Sequence, residues 1–144
     1  MYSIIVTGTD GSDTATEAVK AAAALAVTHQ ADLHIVSVVS PMSAALAAQG
    51  APLPPNWTES QHQEAATSLS RVGELARDLG AKVHEHALDG DPATTIIALA
   101  ENLKADLIVV GNRGMKGLGR FVLGSVPNRI AHHAPCSVLI VRTT

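Results

Sequence analysis

Short apolar runs alternate along this chain with longer segments in which apolar residues recur every three or four positions. The short runs are typical of strands buried in a sheet, and the longer spacing is typical of helices with one buried face. Strands are therefore predicted at 3–8, 31–40, 81–88, 105–110 and 136–141. Helices are predicted at 12–29, at 58–80, from Asp91 and Pro92 to 104, and from Gly124 or Ser125 to the last strand.

Capping and turn residues agree with these bounds. Ser12 or Asp13 can cap the first helix, and Pro92 suits the first turn of the third. Gly80 is placed to end the second helix. The buried stripe of that helix is predicted to contain Leu69, Val72, Leu75, Ala76 and Leu79. Segment 81–88 alternates apolar and polar residues, which predicts an edge strand with one face toward solvent.

Alternating strands and helices predict a single-domain α/β fold over residues 1–144: an open five-stranded parallel sheet with helices on both faces, similar to a Rossmann fold. A strand order of 3-2-1-4-5 would make the loops after the first and fourth strands neighbours. Ligands of such sheets bind at the carboxyl ends of the strands, where the order reverses. The irregular segment 41–60, which carries Trp57, is interpreted either as a lid or as a partner surface.

Composition narrows the class of protein. Apolar residues make up 47% of the chain and aromatic residues 2%, so the core is predicted to be aliphatic. The formal net charge of -3 and the absence of a basic run argue against nucleic-acid binding. No secretory signal or membrane span is predicted, and the single cysteine agrees with a reducing compartment, so a cytoplasmic location is expected. No metal site is predicted, because the histidines do not supply a third ligand at a convincing spacing.

The segment GNRGMKGLGRFVLGS, residues 111–125, holds five of the eleven glycines and lies between a strand and a helix. It is not a Walker A loop, because Arg120 and Phe121 follow Gly119 where that motif requires Lys and a hydroxyl residue. It is not a dinucleotide fingerprint either, because position 122 is Val and the segment follows the fourth strand. A glycine-rich turn that leads into a helix start can still hold an anion against free backbone N–H groups.

A third spacing, Gly111-x2-Gly114-x9-Gly124-Ser125, resembles the ATP-binding branch of the universal stress protein family, whose pattern is G-x2-G-x9-G-[ST]. The segments IIVTGTDGS, LHIVSV, GDPATTI and HHAPCSVLIV occur in the same order and extend the resemblance over essentially the whole chain. The resemblance implies a regulatory module that binds ATP, with or without Mg²⁺, in the stress response. It also implies a homodimer that pairs through the last strand, which is apolar and lies at an edge.

The resemblance also implies a set of binding residues and no catalytic ones. Thr9, Asp10 and Gly11 would form the loop beside the adenosine or a metal, Ile35 would contact adenine through its backbone, and Val110 would pack nearby. Gly111, Gly114, Gly124, Ser125 and Val126 would hold the phosphates, with added positive charge from Arg113, Lys116 or Arg120. Pro127 replaces a hydroxyl residue frequent in the family, and Asn112-Arg113 replaces the more frequent Ser with His or Arg.

Two other functions remain open. One is a nucleotide-dependent enzyme on the same fold, an ATPase or an adenylating enzyme, although the signature motifs of adenylating enzymes are absent from the sequence. A regulatory module that binds ATP could also hydrolyse it slowly. The other is a dimerisation module that binds no nucleotide, against which the intact glycine pattern argues.

Overall fold

The computed structural model describes residues 1–40, 49–50, 55–113 and 123–143. Within these described ranges, five strands alternate with four helices in the predicted order. They are β1 Ile4–Thr9, α1 Asp13–His29, β2 Asp32–Val39, α2 Trp57–Asp78, β3 Lys82–Asp89, α3 Pro92–Leu103, β4 Leu107–Gly111, α4 Ser125–His133 and β5 Ser137–Val141. Most of segment 41–60 lies outside the described residues.

The sheet is parallel throughout and has the order β3-β2-β1-β4-β5, as predicted. β1 lies at its centre, and the Thr7 hydroxyl ties it to β4 by donating to the Val109 carbonyl at 2.8 Å. At the start of the same two strands, the Asp106 carboxylate accepts hydrogen bonds from the N–H groups of Ser3 and Ile4. The ends of β1 and β4 are thereby neighbours, and the loops that follow them meet at one edge of the sheet.

Each face of the sheet has its own aliphatic core. Ile5, Leu33 and Ile35 pack with α1 and α2 on one face. Val36 and Ile108 pack with α3 and α4 on the other. These side chains are fully buried, because a parallel sheet with helices on both faces removes both surfaces of its central strands from water.

The predicted helix caps are confirmed. The Ser12 hydroxyl accepts from the Ala15 N–H, and the Asp91 carboxylate accepts from the Thr94 N–H. The stripe predicted for α2 is wrong at Leu79, which is 51% exposed. Leu79 is the C-cap of α2 and keeps helical φ and ψ, so its exposure reflects its place at the end of the helix rather than a loss of helical phase.

Within the residues that the structure describes, no helix is both long and apolar enough to cross a membrane.

Candidate functional site

A cavity of about 380 Å³ opens at the carboxyl ends of β1, β2 and β4. This size lies within the range of small-molecule sites. The strands and the turns after them line the cavity with residues 8–10 at β1, 36–40 at β2, and 110, 111 and 113 at β4. The helices line it with residue 15 of α1, residues 57, 61, 64, 65 and 68 of α2, residues 92 and 96 of α3, and residues 126 and 127 of α4. The cavity therefore lies where the strand order reverses, as predicted for a ligand of this sheet.

The turn between β1 and α1 forms one side of the cavity. The Thr9 hydroxyl accepts from the Gly11 N–H at 3.2 Å, and Asp10 Oδ1 accepts from the Ser12 N–H at 2.9 Å. Gly11 has φ +83°, a conformation that other residues rarely adopt. Thr9 and Asp10 line the cavity, whereas Gly11 sets the path of the turn.

The two described ends of the glycine segment meet at the opposite side. The Gly124 N–H donates to the Asn112 carbonyl at 3.0 Å, so the start of α4 lies beside the end of β4. Asn112 Oδ1 accepts from both the N–H and the hydroxyl of Thr143 at 2.9 Å. Gly124 is the N-cap of α4 and, as a glycine, has no side chain with which to cap the helix. Backbone N–H groups at such a helix start can hold an anion.

Of the residues predicted for the site, six line the cavity: Thr9, Asp10, Val110, Gly111, Arg113 and Val126. Gly124 and Ser125 adjoin it at the start of α4. Ile35 is fully buried in the core under α1 and α2 and does not line the cavity, whereas residues 36–40 do. Gly114, together with Lys116 and Arg120, lies outside the described residues.

Sequence reasoning missed one wall of the cavity, which is formed by the first half of α2. Trp57, Gln61, Glu64 and Ser68 line the cavity from this helix. Trp57 was predicted to lie in the irregular segment, and it is instead the first residue of α2. The spacing of these residues continues the buried stripe of the helix toward its N-terminus, and that continuity was the available signal.

Two polar groups in the wall lack partners. Trp57 Nε1 and Arg113 Nε are buried, and neither has a hydrogen-bond partner among the described residues. A buried donor without an acceptor costs about 1–3 kcal/mol. Both groups are donors only, so they fit a ligand that brings acceptor atoms. The described charges of the lining are those of Asp10, Glu64 and Arg113.

A separate cluster of histidines lies on β2 and β3. His34 Nδ1 and His86 Nε2 are 2.8 Å apart in a hydrogen bond, and the rings of His34 and His84 stack with centroids 4.5 Å apart. Burial, with the nearby His84 and His86, lowers the pKa of His34 to about 4. Burial also lowers the pKa of His86. With 9% exposure and its hydrogen bond to His86, His34 is a buried structural residue of the sheet.

Within the described parts of the chain, no group of three or more His, Cys, Asp or Glu side chains is arranged to hold a metal ion. Cys136 is half-buried against the core beside β5. Burial raises the pKa of its thiol, which disfavours the reactive thiolate.

Comparisons with known proteins agree with the fold. The model of the universal stress protein family matches residues 1–142. A universal stress protein of Methanocaldococcus jannaschii is 39% identical over 99% of this chain and 83% of its own length. One of Mycobacterium tuberculosis is 36% identical over 99% of this chain and 98% of its own.

Solved structures add two relatives with bound ligands. A universal stress protein in complex with cAMP has a TM-score of 0.75 and 32% identity, covering 99% of this chain and 98% of that one. A universal stress protein from Archaeoglobus fulgidus in complex with dAMP has a TM-score of 0.74 and 25% identity, covering 98% of both chains. Because the family model matches nearly its whole length, this chain belongs to the universal stress protein family.

Proposed function

We propose that this chain is a regulatory module of the stress response that binds an adenine nucleotide, ATP, in the cavity at the carboxyl edge of the sheet. The observation that carries the proposal is the contact between Gly124 and Asn112. It brings the start of α4 to the end of β4, beside the cavity. Relatives with cAMP and with dAMP support an adenine-containing ligand.

The phosphates are proposed to lie at the glycine segment. Backbone N–H groups at the start of α4 and the helix dipole favour negative charge there. Pro127 has no N–H, so Ser125 and Val126 are the residues of the first turn that can offer backbone donors. Arg113, whose Nε is buried without a described partner, adds a positive charge. The full set proposed for the phosphates is Gly111, Arg113, Gly114, Gly124, Ser125 and Val126.

The adenosine is proposed to lie beside the β1 turn and the end of β2. Thr9, Asp10 and Gly11 are proposed to form the loop beside the adenosine or a metal, and Val110 is proposed to pack nearby. For the β2 contact we propose residues 36–40, which line the cavity, in place of Ile35. If Mg²⁺ accompanies ATP, Asp10 would hold it, since this ion is commonly bound by one or two carboxylates together with phosphate oxygens. The bound ion would neutralise phosphate charge.

Calorimetry with ATP, ADP and AMP, together with identification of any nucleotide released on denaturation, tests the binding. Gly124→Val and Gly114→Val should abolish it, whereas Gly117→Val and Gly119→Val lie outside the G-x2-G-x9-G spacing and should retain it. Circular dichroism and melting curves check that each variant is folded. A wild-type protein that releases no nucleotide and gives no heat with ATP would refute the proposal.

A turnover assay separates the regulatory module from the enzyme alternative. Phosphate release is measured for the wild type and for Asp10→Ala. A binding module should show at most slow hydrolysis. Sustained fast turnover that is lost in Asp10→Ala would favour the enzyme.

A homodimer through β5 is proposed on the exposure of that edge strand. Leu139 and Ile140 are 39% and 37% exposed, and an apolar edge of this kind is normally paired or covered. Ile140→Lys should convert the dimer to a monomer in analytical ultracentrifugation. Val27→Lys, at an exposed apolar position on α1, is the matched control and should not. A monomeric wild type at high concentration would contradict the proposal.

A cytoplasmic location is proposed as well, because the ligand is a cytoplasmic nucleotide. Fractionation of the native cells tests it, and recovery of the protein outside the cytoplasmic fraction would contradict it.

A further inference from the structure

The first half of α2 differs in character from the second half. Toward its C-terminus the inward face of the helix carries Leu69, Val72 and Ala76, all buried in the core. The same face continues toward the N-terminus, where the residues at its helical spacing are Trp57, Gln61 and Ser68. These side chains are only half-buried and line the cavity. One continuous stripe is thus core at one end and cavity wall at the other.

The length of α2 explains this division. Its 22 residues extend about 33 Å, whereas the eight residues of β3 extend about 26 Å. The helix crosses over from β2 to a parallel β3, so its N-terminal turns lie at the carboxyl edge of the sheet. The extra length therefore lies beside the cavity, beyond the core.

Three contacts on two sides hold this wall, at the β1 turn and at the end of β3. Arg71 donates to the Gly11 carbonyl at 3.3 Å, which joins α2 to the β1 turn. His62 Nε2 lies 2.7 Å from Asp89 Oδ1 at the end of β3. An added Cβ at Gly11 would come within 2.7 Å of Ser68 Oγ, so the turn and the helix are in close contact. The wall is held in place without a ligand.

The polar groups of the wall suit an uncharged part of a ligand. Trp57 offers a buried indole N–H without a described partner, and its ring supplies a flat apolar surface. Glu64 lines the same wall with a carboxylate, which would repel phosphate groups and accept hydrogen bonds from hydroxyl or amino groups. Arg113 and the start of α4, which suit phosphates, belong to the β4 side of the cavity.

We infer that the stripe from Trp57 to Ser68 recognises the nucleoside part of the ligand, an inference that rests on the proposed nucleotide binding. The Trp57 indole N–H donates to an acceptor of the nucleoside, and the Glu64 carboxylate accepts from its amino group or from a ribose hydroxyl. β1 separates β2 from β4, and two strand spacings amount to about 10 Å. This separation suits a ligand whose nucleoside and phosphate ends are bound by different elements.

Trp57 is the only tryptophan of the chain. Fluorescence excited at the long-wavelength edge of tryptophan absorption therefore reports on this wall alone. Titration of the wild type with AMP and with ATP should change this emission, with the same midpoint as calorimetry. Trp57→Phe keeps an aromatic ring and removes the N–H. It should weaken AMP and ATP by the same factor, about 5- to 10-fold, as expected for one hydrogen bond.

Glu64→Gln should likewise weaken both nucleotides equally. Glu59→Gln is the matched control, because Glu59 is an exposed carboxylate on α2 that does not line the cavity. Arg113→Gln should weaken ATP more than AMP, since it removes a charge from the phosphate side. This difference in ligand dependence separates a nucleoside contact from a merely structural role, and melting curves confirm folding.

Two analogues identify the group that Glu64 accepts from. The compounds 2′-deoxy-AMP and IMP each lack one donor of AMP, the ribose hydroxyl and the amino group respectively. One of them should bind more weakly than AMP to the wild type and with affinity equal to AMP in Glu64→Leu, which removes the acceptor altogether. Equal discrimination by the two proteins would overturn the acceptor role.

The outcomes separate the two proposals. If calorimetry detects no adenine nucleotide on the wild type, nucleotide binding and the α2 inference both fall. If the wild type binds but Trp57→Phe and Glu64→Gln bind as tightly, only the α2 inference falls. A tryptophan emission that stays constant at saturation would also overturn it.

Discussion

Acidification from pH 7 to pH 5 should destabilise this protein through His34. The imidazole is 9% exposed, hydrogen-bonded to His86 and stacked on His84. Burial, with those two neighbours, lowers its pKa from 6.5 to about 4. As the pH falls below 6.5, the unfolded chain takes up the proton before the folded chain does. Stability is therefore full above pH 6.5 and is lost progressively toward pH 4.

The size of the effect follows from the shift. One pKa unit corresponds to about 1.4 kcal/mol. The free energy of unfolding should thus decrease by about 2 kcal/mol between pH 7 and pH 5, and by about 3 kcal/mol at pH 4. The pKa of His86 is also lowered, so it acts in the same direction. Asp91 and Asp106, whose pKa values are lowered by hydrogen bonds, act only below their ordinary value of 3.8, outside this window.

Urea unfolding at pH 7, 6 and 5 measures the effect. With a typical dependence on urea, the wild-type midpoint should decrease by about 1 M between pH 7 and pH 5. His34→Asn places an amide nitrogen where Nδ1 lies and removes the titrating group, so its stability should vary about 2 kcal/mol less over this range. His132→Asn, at an exposed position in α4, is the control and should keep the wild-type slope. A His34→Asn protein with the wild-type slope would refute the reasoning.

Three substitutions test local features of the fold. Gly11→Ala should lower the free energy of unfolding, measured with urea, more than Gly50→Ala does. Both glycines have positive φ, which costs about 1–2 kcal/mol, but only at Gly11 would the new methyl meet Ser68, 2.7 Å away. Equal losses of stability would contradict the steric part of this prediction. Asp91→Ala should lower the free energy of unfolding by about 1 kcal/mol because the cap of α3 is lost, whereas Asp91→Asn should keep most of the stability that the cap provides. Equal destabilisation by the two variants would argue against the cap. Asn112→Ala should raise hydrogen exchange at the Thr143 amide, whose acceptor it removes, and unchanged protection there would show that another group holds this segment.

The fold could be predicted because the evidence for it is local and repeated. Three of the four helices begin near a capping residue or show a clear apolar period, and the alternation of strands and helices indicates parallel connections. The order 3-2-1-4-5 does not follow from these connections alone, since other orders satisfy them as well. Leu79 was misplaced because apolar periodicity does not mark where a helix stops. At Gly80, φ is +101° and the chain turns away, so no further helical turn covers Leu79.

The site could be predicted only where glycine and turn chemistry mark it. Thr9 and Gly111 end their strands, Asp10 follows β1, and all three line the cavity. β2 carries no such mark, because a strand buried on both faces lacks alternation and does not show which residue reaches the edge of the sheet. Ile35 packs into the core under α1 and α2, whereas residues 36–40 at the carboxyl end of β2 line the cavity.

The histidine cluster could not be predicted because it depends on register between strands that are far apart in sequence. His84 and His86 share a face by simple alternation, and this much follows from the sequence. Their contact with His34 requires that position 34 pair with position 84 across β2 and β3, which is fixed by the whole α2 crossover. A one-residue slip would move His34 to the other face of the sheet.

The α2 wall was missed for a related reason. Gln61, Glu64 and Ser68 look like the solvent face of a helix, because polarity alone does not distinguish contact with water from contact with a ligand. What distinguishes them is phase, since Trp57, Gln61 and Ser68 are in register with Leu69, Val72 and Ala76 farther along the helix. The core at one end of α2 therefore determines which residues face the cavity at the other. Polar residues in phase with a buried stripe, at the end of a helix that is longer than its strands, are for this reason candidates for ligand contact.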